Sequence, residues 1–393
     1  MKIGIYTGEI PAPVFIENMV IGLADVGYQV YLYGDSKERP AKFNYSGIIL
    51  RLHPVSGKGK ILISIYYLFL IFWQYQFSGI SILKMIYGNS GSMKQFIYRV
   101  CRVLPPFLDK LDLFHIQWAK TLVFYPEFIK KLDCPVLLSF RGAHINYSPL
   151  VDKKLADGYK QYFPKVAGFH AVSAAISLEA QKYGADPKKI TIIPPAIKKD
   201  LIHKSIVERS TNKDDELKII SVGRCHWKKG YTLALDAMAI LKEKGTNFQY
   251  AIIAGGKDDE NLLYQIHDLG LAENVTFING LPHEKVIEMV SNSTLFLLPS
   301  VEEGISNAVL EAMALGVPVL STDCGGMDEV IDNGKNGFIV SARDPDSMAG
   351  AIRKFICLDE KNKITIINNA KGTIIHNHLL SHQITQFQYL YRK

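Results

Sequence analysis

Short apolar runs recur along this chain, each followed by a stretch with apolar residues at helical spacing. The first is KIGIYTG at residues 2–8, which reads as a buried parallel strand ending in a small-residue turn. Residues 13–27, PVFIENMVIGLADVG, have helical periodicity and stop at Gly27. YQVYLYG at 28–34 is the next strand. Parallel neighbours need a long crossover, and a helix supplies it, so this order predicts a doubly wound α/β sheet. Further strands of the series are predicted at 111–116, 135–140, 168–173 and 189–194.

After Pro194-Pro195 the chain turns polar and charged through residues 205–216. LKIISVG at 217–223 then opens a second strand–helix series, with strands predicted at 250–254, 275–279, 294–299 and 317–322. Two Rossmann-like domains follow from this, at 1–200 and 201–375, with a last helical segment at 376–393. A chain of 393 residues has room for two such domains. No short-period repeat is visible.

The five cysteines, Cys101, Cys134, Cys225, Cys324 and Cys357, include no C-x-x-C pair. Their odd number and spacing argue against a disulfide framework and a Cys-rich metal site, and fit a reducing cytosol. Met1-Lys2 runs straight into a strand pattern, so no secretory signal is expected.

Charge is uneven. Residues 1–200 hold 25 Lys and Arg against 14 Asp and Glu, and the remainder holds 20 against 24. A basic first half suits an anionic partner such as a membrane surface or a phosphorylated acceptor, or is only a soluble basic surface. Residues 61–73, ILISIYYLFLIFW, are nearly unbroken apolar and aromatic, with sparser apolar residues to Tyr87 and flanking Lys58, Lys60 and Lys84. The unbroken part is shorter than the roughly 20 residues of a spanning helix. A buried core helix and a segment docked in the membrane interface are both open readings.

Three clusters stand at predicted strand ends, the edge where open α/β sheets bind ligands. In VGRCHWKKG, Gly223 releases a strand, and Arg224 and Lys229 precede a helix expected near Tyr231. Two cations beside a helix N-terminus suit a diphosphate, although basic residues there are often merely solvated. In SVEEGISNAVLEAMALGVPVLSTDCGG, Glu303 and Glu311 stand eight residues apart, with a helix expected from about Ser306. Glu303 can accept hydrogen bonds from sugar hydroxyls and Glu311 from a ribose diol, while Gly304, Ser306 and adjoining amides can approach a phosphate or sugar. A capped amphipathic helix with a surface Glu is the plainer alternative. The third cluster comprises AGGKDDE at 254–260 and NGLPHEKV at 279–286, where main-chain groups near Gly280 and Leu281 could read a base edge.

Together these residues resemble glycosyltransferase family 4, retaining nucleotide-sugar transferases of the GT-B fold. The family's glycine-arginine and lysine-glycine elements match Gly223-Arg224 and Lys229-Gly230. Its glutamate pair matches Glu303 and Glu311, followed by Ala312-Met313-Ala314, Gly316 and Pro318-Val319. HWKKGY, EEGISNAVLEAMALG and CGGMDEVI look most like bacterial exopolysaccharide and colanic-acid-type transferases. The resemblance implies two Rossmann-like domains facing across a cleft, with the last helix returning to the first domain. It implies that Arg224 and Lys229 hold the donor diphosphate, that Glu303 contacts the donor sugar, and that Glu311 binds the ribose. Ile305, Asn307 and Ala308 would complete the donor contacts beside Gly304 and Ser306. Configuration would be retained, and neither a metal nor another cofactor would be needed.

The acceptor is expected on the first domain, where Gly8, His115, Gln117, Arg141 and His144 are candidates. Gly8 to Pro13 lacks the family's glycine-rich turn, and His144 stands where relatives often carry Asp; it could donate to a sugar hydroxyl or act as base. The acceptor itself is expected to be a saccharide or lipid-linked saccharide at the inner face of the cell membrane, the donor a UDP-sugar before a GDP-sugar, and no nucleic acid is implied. A nicotinamide oxidoreductase is disfavoured, because no G-x-G-x-x-G follows the first strand. A catalytically silent relative that binds a partner at the membrane is the remaining alternative.

Overall fold

The computed structural model describes residues 1–36, 47–54, 57–203, 216–256 and 260–392. The polar connector read at 205–216 lies outside these up to residue 215, as do residues 257–259 of the loop at 254–260. The chain divides into two compact units. One comprises Met1–Val172, Ile176–Ile193 and Gln383–Lys393, the other Ser173–Ala175 and Pro194–His382. The final helix, Leu380–Arg392, begins in the second unit and ends in the first.

Among the described residues the first unit has seven strands and the second has six. Those of the first are β1 Lys2–Ile10, β2 Gln29–Ser36, β3 Ile48–His53, β4 Leu113–Ile116, β5 Val136–Phe140, β6 Gly168–Ala171 and β7 Ile190–Ile192. They lie in the order β3-β2-β1-β4-β5-β6-β7, and every pairing is parallel. Those of the second are β8 Leu217–Arg224, β9 Phe248–Gly255, β10 Val275–Ile278, β11 Leu295–Leu298, β12 Val319–Thr322 and β13 Phe338–Val340. Their order is β10-β9-β8-β11-β12-β13, again all parallel. Central strands such as β4, β5, β6, β11 and β12 are buried at every residue, because helices cover both faces. Strand order reverses between β1 and β4 in one sheet and between β8 and β11 in the other. Loops leaving the two strands diverge there and open a crevice at their carboxyl ends.

Three local readings need correction. The first strand does not turn at Gly8. It continues to Ile10, with its register slipping between Tyr6 and Gly8, so Gly8 sits inside the strand at φ +83°. The edge strands β3 and β13 lay outside the predicted series. Third, the apolar segment is a helical stretch, Gly57–Gly88, far longer than its unbroken run. Its backbone breaks at Gln76, where φ is +47° and ψ −126°. A Cβ on Gly79 would lie 3.0 Å from the carbonyl oxygen of Ile71, a contact impossible in a straight helix, so the two arms fold back on each other.

Candidate functional site

The β8–β11 switch point gathers most of the charged residues singled out in the sequence. After β8 the chain makes a short turn, Trp227–Lys229, and enters the helix Tyr231–Glu243 through Gly230 at φ +66°. A Cβ on Gly230 would stand 2.0 Å from the carbonyl oxygen of Pro299, so only glycine lets this turn press against the end of β11. The amide of Val301 donates to the Lys228 carbonyl at 2.7 Å and ties the two loops together. This closeness brings the Lys229 ammonium onto the Glu303 carboxylate as a direct ion pair. Lys228, itself buried, holds its Nζ 3.8 Å from the other Glu303 oxygen, and Ser300 Oγ donates at 3.3 Å.

Glu303 is only 8% exposed. Burial works against its charge, but the Lys229 and Lys228 ammonium groups and the hydrogen bonds outweigh it and hold the carboxyl below its usual range. Burial lowers the Lys228 amine, against the pull of Glu303. His226 is lowered by burial and then by Arg224, Lys228 and Lys229, which marks a loop with a cationic surplus. Arg224, the exposed last residue of β8, makes no ion pair among the described residues. The buried Glu303 therefore faces two ammonium groups, with Arg224 a further cation on the same loop.

The loop after β11 is fixed from the other side. Gly325, at φ +60°, would place a Cβ 1.9 Å from the Glu303 carbonyl oxygen, and the Gly326 amide donates to Gly304 at 2.8 Å. Ile305 and Ser306 are buried, and Ser306 starts the helix Asn307–Ala314 without a side-chain cap on its amides. First-turn amides of Asn307 and Ala308 thus lack intrahelical partners and lie at the positive end of the helix dipole. The Asn307 Oδ1 and Tyr231 hydroxyl atoms are buried with no hydrogen-bond partner among the described residues, a pattern found where a ligand or water completes the site. Glu311 lies about one helical turn on, with an oxygen 2.9 Å from His283 Nε2. Gly280 has φ +57°, and Leu281 after it is exposed. Gly223 packs against the Tyr231 and Lys229 side chains. Lys228, Tyr231 and His283 were not singled out beforehand. The doublet in HWKKG and the His in LPHEKV were the available signals.

At the β1–β4 switch point the residues are of another kind. Gln117 follows β4, is fully buried, and accepts from Arg141 Nη2 at 3.0 Å. Arg141 Nε, Gln117 Nε2 and Thr7 Oγ1 are buried atoms with no partner. The Arg141 guanidinium stands 4.8 Å over the Phe15 ring, and burial pushes its pKa down to about 10. His144 lies on the short helix Ala143–Asn146 with its ring 5.3 Å from that of Trp118, whose Nε1 donates to the Thr7 carbonyl at 2.7 Å.

His115 is not available to an acceptor. It is 0% exposed, lies within β4 rather than beyond it, and both ring nitrogens are taken. Its contacts belong to a buried relay. His170 Nε2 meets the Ile193 carbonyl at 2.9 Å, so it must donate. His170 Nδ1 therefore accepts from Ser139, Ser139 accepts from His115 Nε2, and His115 Nδ1 accepts from Tyr391, each at 2.8 Å. This is the assignment open to two neutral rings. Burial agrees, pushing His115 down to about 3 and His170 well below its usual value.

Comparison with known proteins gives these residues a context. The profile for Glycosyltransferase Family 4 matches residues 12–201, and that for Glycosyl transferases group 1 matches 203–372. The amylovoran biosynthesis glycosyltransferase AmsK of Erwinia amylovora is 25% identical over 98% of this chain and 98% of its own length. WcaL of Salmonella typhimurium, assigned to colanic acid biosynthesis, is 29% identical over 73% of this chain and 71% of its own. In fold, Anabaena HepE in complex with UDP and glucose superposes with a TM-score of 0.70 at 16% identity, covering all of both chains. Sucrose-phosphate synthase from Thermosynechococcus elongatus does so at 0.72 and 15%, over 100% of this chain and 98% of that one. With its two parallel-sheet units of the GT-B class and these two profile matches, the chain belongs to glycosyltransferase family 4.

Proposed function

We propose that this glycosyltransferase moves a hexose from a nucleotide-sugar donor, a UDP-sugar in preference to a GDP-sugar, onto a lipid-linked saccharide in surface polysaccharide synthesis. The observation that carries the reading is the cationic loop at the β8–β11 switch point, where Lys228 and Lys229 flank the buried Glu303 carboxylate and Arg224 adds a third positive charge to the loop. Such a surplus suits the diphosphate, whose charge grows as the sugar–oxygen bond breaks. Arg224 and Lys229 hold that leaving group, helped by the amides of Asn307 and Ala308. Glu303 orients the sugar near its reacting carbon, and Glu311 accepts from the ribose hydroxyls. With three cations at the diphosphate, the reading calls for no metal.

The course is retaining. The C1–oxygen bond to the diphosphate breaks, the acceptor oxygen bonds to C1 from the same face, and its proton passes to the departing phosphate oxygen or to His144. Glu303 is paired with Lys229 and makes a poor nucleophile, which argues against a covalent intermediate. Arg141, Gln117 and Gly8 serve the acceptor, through groups that hydrogen-bond rather than neutralise. Support for the donor comes from HepE, whose solved complexes include UDP-glucose, and support for the product class from the exopolysaccharide transferases among the relatives.

The test is thermal stabilisation without metal against UDP-, GDP- and ADP-sugars. A donor at 100 times its Kd should stabilise the fold by about 2.7 kcal/mol. Glu311→Ala should weaken binding roughly tenfold or more, the value of a hydrogen bond to a charged group. No stabilisation by any nucleotide-sugar would overturn the reading in favour of a silent binding protein.

A further inference from the structure

The helical stretch Gly57–Gly88 is apolar on its outer side as well as on its inner side, where Ile71, Ile82 and Ile86 join the core. Its inner side carries Ser64, bonded to the Ile97 carbonyl at 3.0 Å, and Tyr75, whose hydroxyl donates to the Phe107 carbonyl at 2.7 Å. Its outer side carries Ile61, Leu62, Ile65, Tyr66, Phe69, Phe72, Trp73 and Phe77, all of them exposed. These positions recur at three- and four-residue spacing and form one continuous stripe up to the break at Gln76. Exposure is greatest at the fold-back, 79% at Trp73 and 87% at Phe77, and Phe69 and Trp73 stack with centroids 6.3 Å apart. A soluble helix turns its apolar stripe inward, and an exposed apolar surface this continuous marks a place where something else docks.

The charges around the stripe identify the occupant. From residue 57 to residue 108 there is no Asp or Glu. Of the six cations in that span, Arg99 is taken by Glu127 and Arg102 by Asp35, both on the inner side. Lys58, Lys84 and Lys94 are exposed. A second copy of the same face would bring lysines against lysines, with no acid from residues 57–108 to pair them. An anionic bilayer offers apolar depth for the stripe, an interface suited to Trp and Tyr, and phosphate headgroups for the lysines. A span is excluded by the geometry, because the backbone reverses at Gln76 and the inner side of both arms is packed on the unit's own core.

We infer that the outer face and tip of this helical pair insert into the headgroup region of an anionic membrane, Trp73 and Phe77 deepest. The inference rests on the lipid-linked acceptor proposed above and names the surface that would bring the protein to it.

The experiment is co-sedimentation of the full chain with vesicles of phosphatidylethanolamine and phosphatidylglycerol, against vesicles of phosphatidylcholine. Wild type should bind the anionic vesicles, and brominated lipid should quench fluorescence that the Trp73→Phe variant lacks. Trp73→Ser with Phe77→Ser should cut partitioning at least about tenfold. Replacing Lys58 and Lys84 by Gln should cut it roughly fivefold each, on anionic vesicles alone. These exposed sites leave the core intact, so stabilisation by the nucleotide-sugar should be unchanged. Absence of vesicle binding by wild type, equal binding by the serine variant, or self-association that the serine variant abolishes would each overturn the inference. Vesicle binding without any donor binding would instead sink the transferase reading and leave this surface standing.

Discussion

The two sheets are wound alike, yet their switch points hold opposite chemistry. Beside β8 and β11 a buried Glu303 is paired with Lys229 and Lys228, and Arg224 stands on the same loop, so the crevice is a place of formal charge. Beside β1 and β4 the corresponding groups are Thr7, Gln117 and a single guanidinium, Arg141, with buried polar atoms left open. Fold alone therefore does not decide what binds at such an edge. Charge suits a diphosphate, and open hydrogen-bonding atoms suit a sugar, which is the division of labour proposed for the two units.

The contrast is sharpest at Lys229. Lys229→Ala should lower transfer by roughly a hundred- to a thousandfold, the value of one well-placed group stabilising a leaving group. It should also cost stability on the order of 3 kcal/mol, because Glu303 stays buried with only Lys228 nearby. Steady-state rates and urea melts would check both, and Lys229→Arg should recover much of the stability. A variant with full activity would break the comparison. A middle-sized effect is expected at Arg141. Arg141→Lys should reduce transfer to a saccharide about tenfold, by loss of the guanidinium fork, while donor binding and donor hydrolysis hold. If donor binding fell as well, the units would not divide the work as proposed.

The smallest effect separates the units by acid sensitivity. In the unfolded chain His115 takes up a proton near pH 6.5, whereas in the folded protein it stays neutral until about 3. The unfolded state thus binds more protons as pH falls through that window, and stability declines. The loss is at most about 1.4 kcal/mol per pH unit for each such histidine, seen as a falling urea midpoint. His170 adds to it in the same direction. His115→Gln should flatten the decline. An unchanged slope would mean that the relay does not stay neutral.

Most strand positions and the gathering of charge after β8 and β11 were readable in advance, for physical reasons. Buried parallel strands are written as apolar runs, and a diphosphate site must spend lysine, arginine and glutamate on a few short loops. Edge strands failed this test. β3, IILRLH, and β13, FIV, are apolar but short, β3 is broken by Arg51, and both are only partly buried over most of their length. His115 misled because a strand-end histidine looks the same in sequence whether it points past the edge or into the core. Only the partners Ser139 and Tyr391 decide, and one of them is 276 residues away. Lys228 and His283 were passed over because their roles depend on loops brought together by Gly230 and by the packing of neighbouring strands. The backbone break at Gln76 left no mark, since glutamine carries no turn preference.

The buried relay also sets a timetable for synthesis. Translation emits the chain from its first residue, so β1 to β7 leave the ribosome long before Tyr391 exists. At roughly 5–20 residues per second, His115 waits on the order of 15–55 s for the hydroxyl that caps it. Throughout that interval the nascent first unit carries an open seam where the last helix will lie, while the whole second unit is being made. A stalled or clipped chain lacking its last dozen residues would leave that seam exposed, a natural handle by which chaperones and proteases could recognise unfinished molecules.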